Sequence, residues 1–246
     1  FLSARCKKES PFALYMRMRS KTAGGSQIST RSVGDSLYGG GFAFSPSQCH
    51  QHLLAKIAPS CVYREGSAGA WQAQFAPVLA RLTGFEKMPR PSERPPLSPF
   101  VLWKRPHPSG LGTIEKVVFH AEEGADVPAY FCAPARSAAP YSAMICLQGH
   151  STGMHCSVGL SKDDERTPIS IEGERDFALA CMRRGLAALC IEQRSLGERA
   201  EQMQVRRCFY NGCHDAAMRA LLLGRTLVAD RVYDVDRALD YLVLRG

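Results

Sequence analysis

The sequence predicts an α/β protein with a mostly parallel central sheet flanked by helices, and three observations lead there. A run rich in β-branched residues, 113–120, opens the second half of the chain, and short apolar runs alternate with helical patterns after it. Two of these runs, 142–147 and 186–191, are almost continuously apolar, which suits strands buried on both faces. Antiparallel-looking strands come first and strand–helix–strand–helix follows, the order of an α/β sandwich.

The amount of apolar material supports a real core. The 246 residues are 45% hydrophobic and 22% charged, ordinary values for a globular chain. No run of roughly 18 apolar residues occurs, because Arg219 and Arg225 interrupt the best stretch, 216–229. A helical membrane span is therefore not expected, nor a membrane partner. No secretory apolar segment opens the chain, which favours the cytoplasm over export. The 31 Lys+Arg against 23 Asp+Glu give a net charge of +8.

Residues 1–48 hold much of that charge. Arg5, Lys7, Lys8, Arg17, Arg19, Lys21 and Arg31 face only Glu9 and Asp35, and Gly39–Gly41 close the stretch. A Ser/Gly-rich basic arm without apolar periodicity is expected to be disordered. A transit peptide, a nucleic-acid arm, or upstream sequence before a start at Met16 or Met18 are the readings it allows. Nucleic acid is not favoured as a partner.

Residues 49–108 are expected to be a helical extension followed by a connector. Trp71, Phe75, Val78, Leu79 and Leu82 share one helical face between Ser67 and Leu82, with Gly84 as the stop. Seven prolines between Met88 and Pro108 then forbid regular structure. From there the elements follow in order. Strands are expected over 113–120, 127–132, 142–147 and 186–191, and helices over 174–184, 215–228 and 232–244. In the last helix Val232, Val235, Leu239 and Leu242 form one apolar face, which leaves Asp234, Asp236 and Asp240 to solvent.

Ten cysteines contain no C-x-x-C pair, and Cys132, Cys146, Cys181 and Cys190 sit in apolar runs. They read as reduced thiols acting as small hydrophobes. The group Cys49, His50, His52 and Cys61 matches no closed zinc spacing, so no metal is expected.

The sharpest chemical signal is Gln148-Gly149-His150-Ser151-Thr152-Gly153, directly after an apolar strand. Gly149 to Gly153 fits G-x-S-x-G, which would make Ser151 a nucleophile on a tight turn. Such a turn runs at once into a helix, whereas here 154–159 leads toward the charged loop 161–165. The same turn at a strand's carboxyl end can instead aim backbone N–H groups at a developing oxyanion. A dinucleotide loop is disfavoured, since G-x-G-x-x-G is absent and Glu192 lies too far downstream.

Residues 148–155 resemble the oxyanion segment of α/β-hydrolases of the acetyl xylan esterase and dienelactone hydrolase-like group. Residues 185–198 look like that group's strand ending in a D-x-R-G-x-G turn, with Glu192 and Ser195 as departures. Residues 224–242 resemble the helix before its nucleophile strand, and the Trp71 helix is similar to its N-terminal helix. The resemblance covers about residues 50–246 and implies that 109–246 are the front half of an α/β-hydrolase domain. It implies a serine carboxylic ester hydrolase without cofactor or metal, acting on a small-molecule or carbohydrate ester. It makes Gly149 the sharp-bend residue and His150 the N–H donor of the oxyanion hole.

The group places its nucleophile one strand after the helix that finishes here. The first residue is Phe1, and the chain ends at Gly246 straight after an amphipathic pattern. Both ends are expected to be cuts in a longer frame, with the fold truncated before the nucleophile strand and the catalytic Ser, Asp and His outside it. Two alternatives stay open: a complete, diverged hydrolase using Ser151, and a non-catalytic binding protein with a basic arm. Arg194 is expected in a structural salt bridge, with Glu198 or Asp176.

Overall fold

A computed structural model describes residues 46–149, 152–200 and 212–246. The chain divides into two units, Phe1–Arg64 and Glu65–Gly246. The described part of the first holds helix α1, Pro46–Leu54, which carries Cys49, His50 and His52 and has no buried residue. The basic arm up to residue 45 lies outside the described residues.

The second unit opens with α2, Ala68–Thr83, and both of its ends follow from sequence. Ser67 accepts a hydrogen bond from the Ala70 N–H, and Gly84 stops the helix at φ 75°, a left-handed conformation that suits glycine. Pro77 sits inside without ending it. Trp71 and Phe75, one turn apart, stack with ring centroids 5.1 Å apart.

Five strands form one sheet: β1 Phe100–Pro106, β2 Gly112–Glu122, β3 Ala125–Pro134, β4 Ala143–Cys146 and β5 Ala187–Ile191, in the order β1-β2-β3-β5-β4. The expectation that prolines forbid structure up to residue 108 is corrected by β1. Its interior contains no proline, since Pro99 precedes it and Pro106 ends it, and it lies at the sheet edge. The sheet is mixed over the described strands. Parallel pairing is carried by β4–β5, and the ladders β1–β2, β2–β3 and β3–β5 are antiparallel. The connections 107–111 and 123–124 are too short for a crossover and can only make hairpins.

The β4–β5 crossover carries two short helices, α3 Met154–Val158 and α4 Phe177–Arg183. The chain then closes with α5 Gly212–Leu222 and α6 Leu227–Arg245. The break between these last two falls at 223–226, earlier than hydrophobic spacing predicts. Gly224 takes φ 67° there, and the Thr226 side chain caps α6 by accepting from the Ala229 N–H.

Strand alternation divides the core into two layers. On β5, Ala187, Leu189 and Ile191 join Val117, Phe119 and Phe131 beneath Tyr233, Ala238 and Tyr241 of α6. Ala188 and Cys190 point the other way, into a layer with Tyr130, Met154, Val158, Ala178 and Met182. Every residue of β5 is buried, as its unbroken apolar run requires.

The buried face of α6 is a correction. Of the expected face, Val235 and Leu242 pack against the core but Val232 and Leu239 are each 50% exposed, while Tyr233, Asp234, Arg237, Ala238 and Tyr241 are buried. The helix turns charged residues inward because partners wait for them. Arg194 and Arg199 both pair with Asp234, which is fully buried rather than solvated. Arg94 pairs with Asp236 and Asp240. Arg237 donates to the Pro95 and His120 carbonyls.

Candidate active site

The chain leaves β4 into Leu147 and Gln148, and side chains hold this exit from two sides. Gln148 is buried, and its Nε2 donates to Ser157 Oγ at 2.7 Å and to the Arg175 carbonyl at 2.8 Å. From the next strand's exit, Gln193 Nε2 donates to the Gln148 carbonyl. Gly149 is exposed, and a Cβ built on it would meet nothing within 4 Å. Its φ lies outside the left-handed region, so neither strain nor crowding from the described residues demands glycine there. The Thr152 hydroxyl donates to the Gly149 carbonyl at 2.7 Å and closes the turn. His150 and Ser151 lie outside the described residues.

Gly153 then caps α3, in which Met154, Cys156, Ser157 and Val158 are buried, and Gly159 ends it at φ 63°. A five-residue helix therefore follows the turn before the charged loop. The sequence reading passed straight to the loop, because five residues are too few for helical periodicity to register.

The residue that sequence reasoning passed over is Glu192. It follows β5 directly, is 1% exposed, and accepts backbone N–H bonds from two segments. The Met154 amide lies 3.2 and 3.3 Å from its two carboxylate oxygens, and the Glu198 amide 3.2 Å from Oε2. Burial pushes its carboxyl up to about 7, against the amides of Glu198 and Met154, which hold it down. Two glycines make room. A Cβ on Gly153 would sit 3.0 Å from Glu192 Oε2 and 2.9 Å from His155 Nδ1. A Cβ on Gly197, at φ 46°, would overlap the carboxylate itself. The only sequence signal was Glu192's departure from the D-x-R-G-x-G pattern, directly after a buried strand.

Glu192 and Gly197 face a cleft of about 500 Å³ outside the carboxyl ends of β4 and β5, lined also by Thr152, His155, Lys162, Glu198 and Cys213. That is where open α/β sheets bind ligands. Burial, and then Lys162, hold the His155 imidazole below its ordinary range, so it is neutral at pH 7. The wall formed by 161–168 is fixed to the sheet through Glu165. That carboxylate accepts from Tyr130 Oη at 2.8 Å and Trp103 Nε1 at 3.0 Å, and it pairs with Lys116. Lys116 also reaches Glu198 at 2.7 Å. Burial alone would lower the Lys116 pKa, but the two carboxylates raise it.

Arg194 is in a structural salt bridge, with partners other than those expected. It binds Asp234 twice at 2.9 Å and Glu122 at 2.6 Å. Glu198 is engaged by Lys116, and Asp176 lies 3.4 Å from Arg183. Among the described residues no group of three or more His, Cys, Asp or Glu is placed to hold a metal, the Cys49–Cys61 set included. Cys132, Cys146, Cys156 and Cys190 are buried free thiols.

No protein-family model and no curated protein matches the sequence. Solved structures do. A Bacteroides fragilis protein assigned provisionally as an acetyl xylan esterase aligns with TM-score 0.59 and 16% identity, over 85% of this chain and 52% of its own. An acetyl xylan esterase from Paenibacillus aligns over 70% of this chain and 46% of its own, with 19% identity and TM-score 0.38. A glucuronoyl esterase from Solibacter usitatus aligns over 75% and 51%, with 14% identity and TM-score 0.42. The fold assignment rests on the first: a mixed α/β sheet flanked by helices, of the α/β-hydrolase type. The chain spans about half the length of the structures it matches.

Proposed function

We propose that the chain is the front half of a serine carboxylic ester hydrolase and that the turn after β4 supplies its oxyanion hole. The observation that carries this reading is the fixed exit of β4. Gln193 and Ser157 hold Gln148 in place, and Gly149 follows exposed, with open space where a Cβ would stand. An acyl carbonyl can approach backbone at such a position without meeting a side chain. The His150 N–H is the donor to the oxyanion, and Gly149 keeps the approach to it free of a side chain.

In the reaction, a serine hydroxyl attacks the ester carbonyl and a histidine takes its proton. The negative charge then developing on the carbonyl oxygen is held by the turn's N–H groups, a contribution of about 3–4 kcal/mol per donor. The alkoxide leaves with a proton from the histidine, and water activated by the same histidine releases the acid. The serine, histidine and supporting acid lie outside these 246 residues, consistent with coverage of 52% of the Bacteroides fragilis chain. A small-molecule or carbohydrate ester is the substrate class, in line with the name of the Bacteroides fragilis structure. No cofactor or metal enters the chemistry.

The second reading makes Ser151 the nucleophile, and the helix Met154–Val158 three residues beyond it is what favours that alternative. Hydrolysis of p-nitrophenyl acetate by the full-length protein tests both. Turnover that survives Ser151→Ala supports the oxyanion assignment. Loss of turnover in that variant transfers the nucleophile to Ser151, and an inert wild type rejects the hydrolase reading.

A further inference from the structure

Two adjacent residues after β5 grip the two ends of the turn after β4. Gln193 donates to the Gln148 carbonyl at its start, and Glu192 accepts the Met154 N–H just past its end. Between them Thr152 ties back to Gly149. The same Glu192 carboxylate binds the Glu198 N–H, so one buried side chain joins the turn, helix α3 and the 197–199 segment of the cleft wall. Glycines at 153 and 197 are what allow this approach. A buried carboxylate carries a desolvation cost that packing alone would not retain, and a buried leucine-like side chain would fill the same space without it.

We propose that Glu192 is a positioning residue for the oxyanion turn. Its carboxylate, by accepting the Met154 and Glu198 amides together, fixes the far end of that turn against the cleft wall. This inference rests on the hydrolase reading above. Glu192 touches no reacting atom, and it acts through the turn.

The ionised form is the one that accepts both amides with charge assistance. Protonation places an O–H against an amide donor and slackens the grip. Among the described residues, the charged and titratable groups facing the carboxylate are Glu198 and Arg199 from the 197–199 turn, Tyr130 from β3 and His155 from α3. Arg199 is shared with Asp234, and His155 is held neutral at pH 7 by burial and Lys162. Burial brings the Glu192 carboxyl up to about 7, so its charge changes near neutrality.

The test uses Glu192→Gln and Glu192→Asp in the full-length protein, each first shown to melt cooperatively. Two readouts are taken: amide hydrogen exchange by mass spectrometry across residues 152–160, and kcat and KM for an acetyl ester against pH. The inference predicts at least tenfold faster exchange in that segment for Glu192→Gln. It also predicts kcat at least tenfold lower with KM changed less than about twofold, since an oxyanion donor acts on the transition state. The acid limb of log kcat is expected to have a slope of about two in the wild type, one proton for the catalytic histidine and one for Glu192, and about one in Glu192→Gln. Glu192→Asp keeps the charge with a shorter reach; it should retain the steeper limb while losing part of kcat, and it carries the test if Glu192→Gln does not fold. An active wild type whose variants keep exchange, kcat and limb slope overturns this inference alone. A wild type inert toward esters overturns the hydrolase reading instead, and the exchange readout still reports whether Glu192 holds the turn.

Discussion

Arg194 Nε and Nη2 each donate to an Asp234 carboxylate oxygen at 2.9 Å, and no part of the Asp234 side chain is exposed. This pair joins the turn after β5 to helix α6, and the network widens through Arg199, Glu122, Arg225 and Asp230. Burial alone would lower the Arg194 pKa, but Asp234 and Glu122 more than offset it and raise it. The cleft wall that includes Ser195 to Glu198 is thereby anchored to the long helix behind the sheet.

Removing one partner of a buried network leaves an uncompensated charge. Asp234→Ala is expected to cost about 3–5 kcal/mol, because Arg194 and Arg199 both lose it. In a domain of this size that lowers Tm by roughly 10 °C, readable by calorimetry. Arg183→Ala, at a more exposed pair 3.4 Å apart, should change stability by less than about 0.5 kcal/mol.

The stability of the fold should carry a pH signature from Glu192. Its carboxyl is raised from 4.5 to about 7, so the folded state binds the proton more tightly than the unfolded chain. The stabilising contribution is full below pH 4.5 and is lost as pH rises through about 7, on the order of 3 kcal/mol in all. Glu192→Gln lacks this loss. Urea titrations from pH 4 to 8 should show the variant gaining on the wild type by that order across the window, whatever their offset at pH 4.

Gly197→Ala should be costly. Its φ of 46° disfavours a side chain, and the added methyl overlaps the Glu192 carboxylate. A loss of about 2 kcal/mol or more is expected in chemical denaturation.

Gly149→Ala should separate folding from activity. Its Cβ meets nothing within 4 Å, so stability should stay within about 0.5 kcal/mol of wild type. A methyl at the mouth of the oxyanion turn crowds the acyl carbonyl, and kcat is expected to fall roughly tenfold. That is less than the 10²–10³ lost with a whole donor. Unchanged kcat would mean the carbonyl does not approach this backbone.

Sequence periodicity served best where one physical term decides. Ser67 and Gly84 bracket α2 because caps are local chemistry, and β5 reads as a buried strand because all five residues are apolar. It failed where pairing overrides hydropathy. Asp234 and Arg237 rotate the buried face of α6 away from Val232 and Leu239, and their partners are as distant in sequence as Arg194 and Pro95. β1 was hidden by flanking prolines that never enter its interior. At the site, the Gln148–Gly149 turn was legible as glycines after an apolar run. Glu192 was visible only as a departure from a pattern, because its role depends on a Met154 amide 38 residues away.

The central claim is that the turn from Gly149 stabilises an oxyanion while another serine attacks. The most direct measurement is to label the full-length protein with a fluorophosphonate and map the modified serine by mass spectrometry. The account predicts one adduct, on a serine outside residues 1–246, with Ser151 unmodified. An adduct on Ser151 would make this turn the nucleophile elbow and contradict the claim, and the absence of any adduct would remove serine hydrolysis altogether.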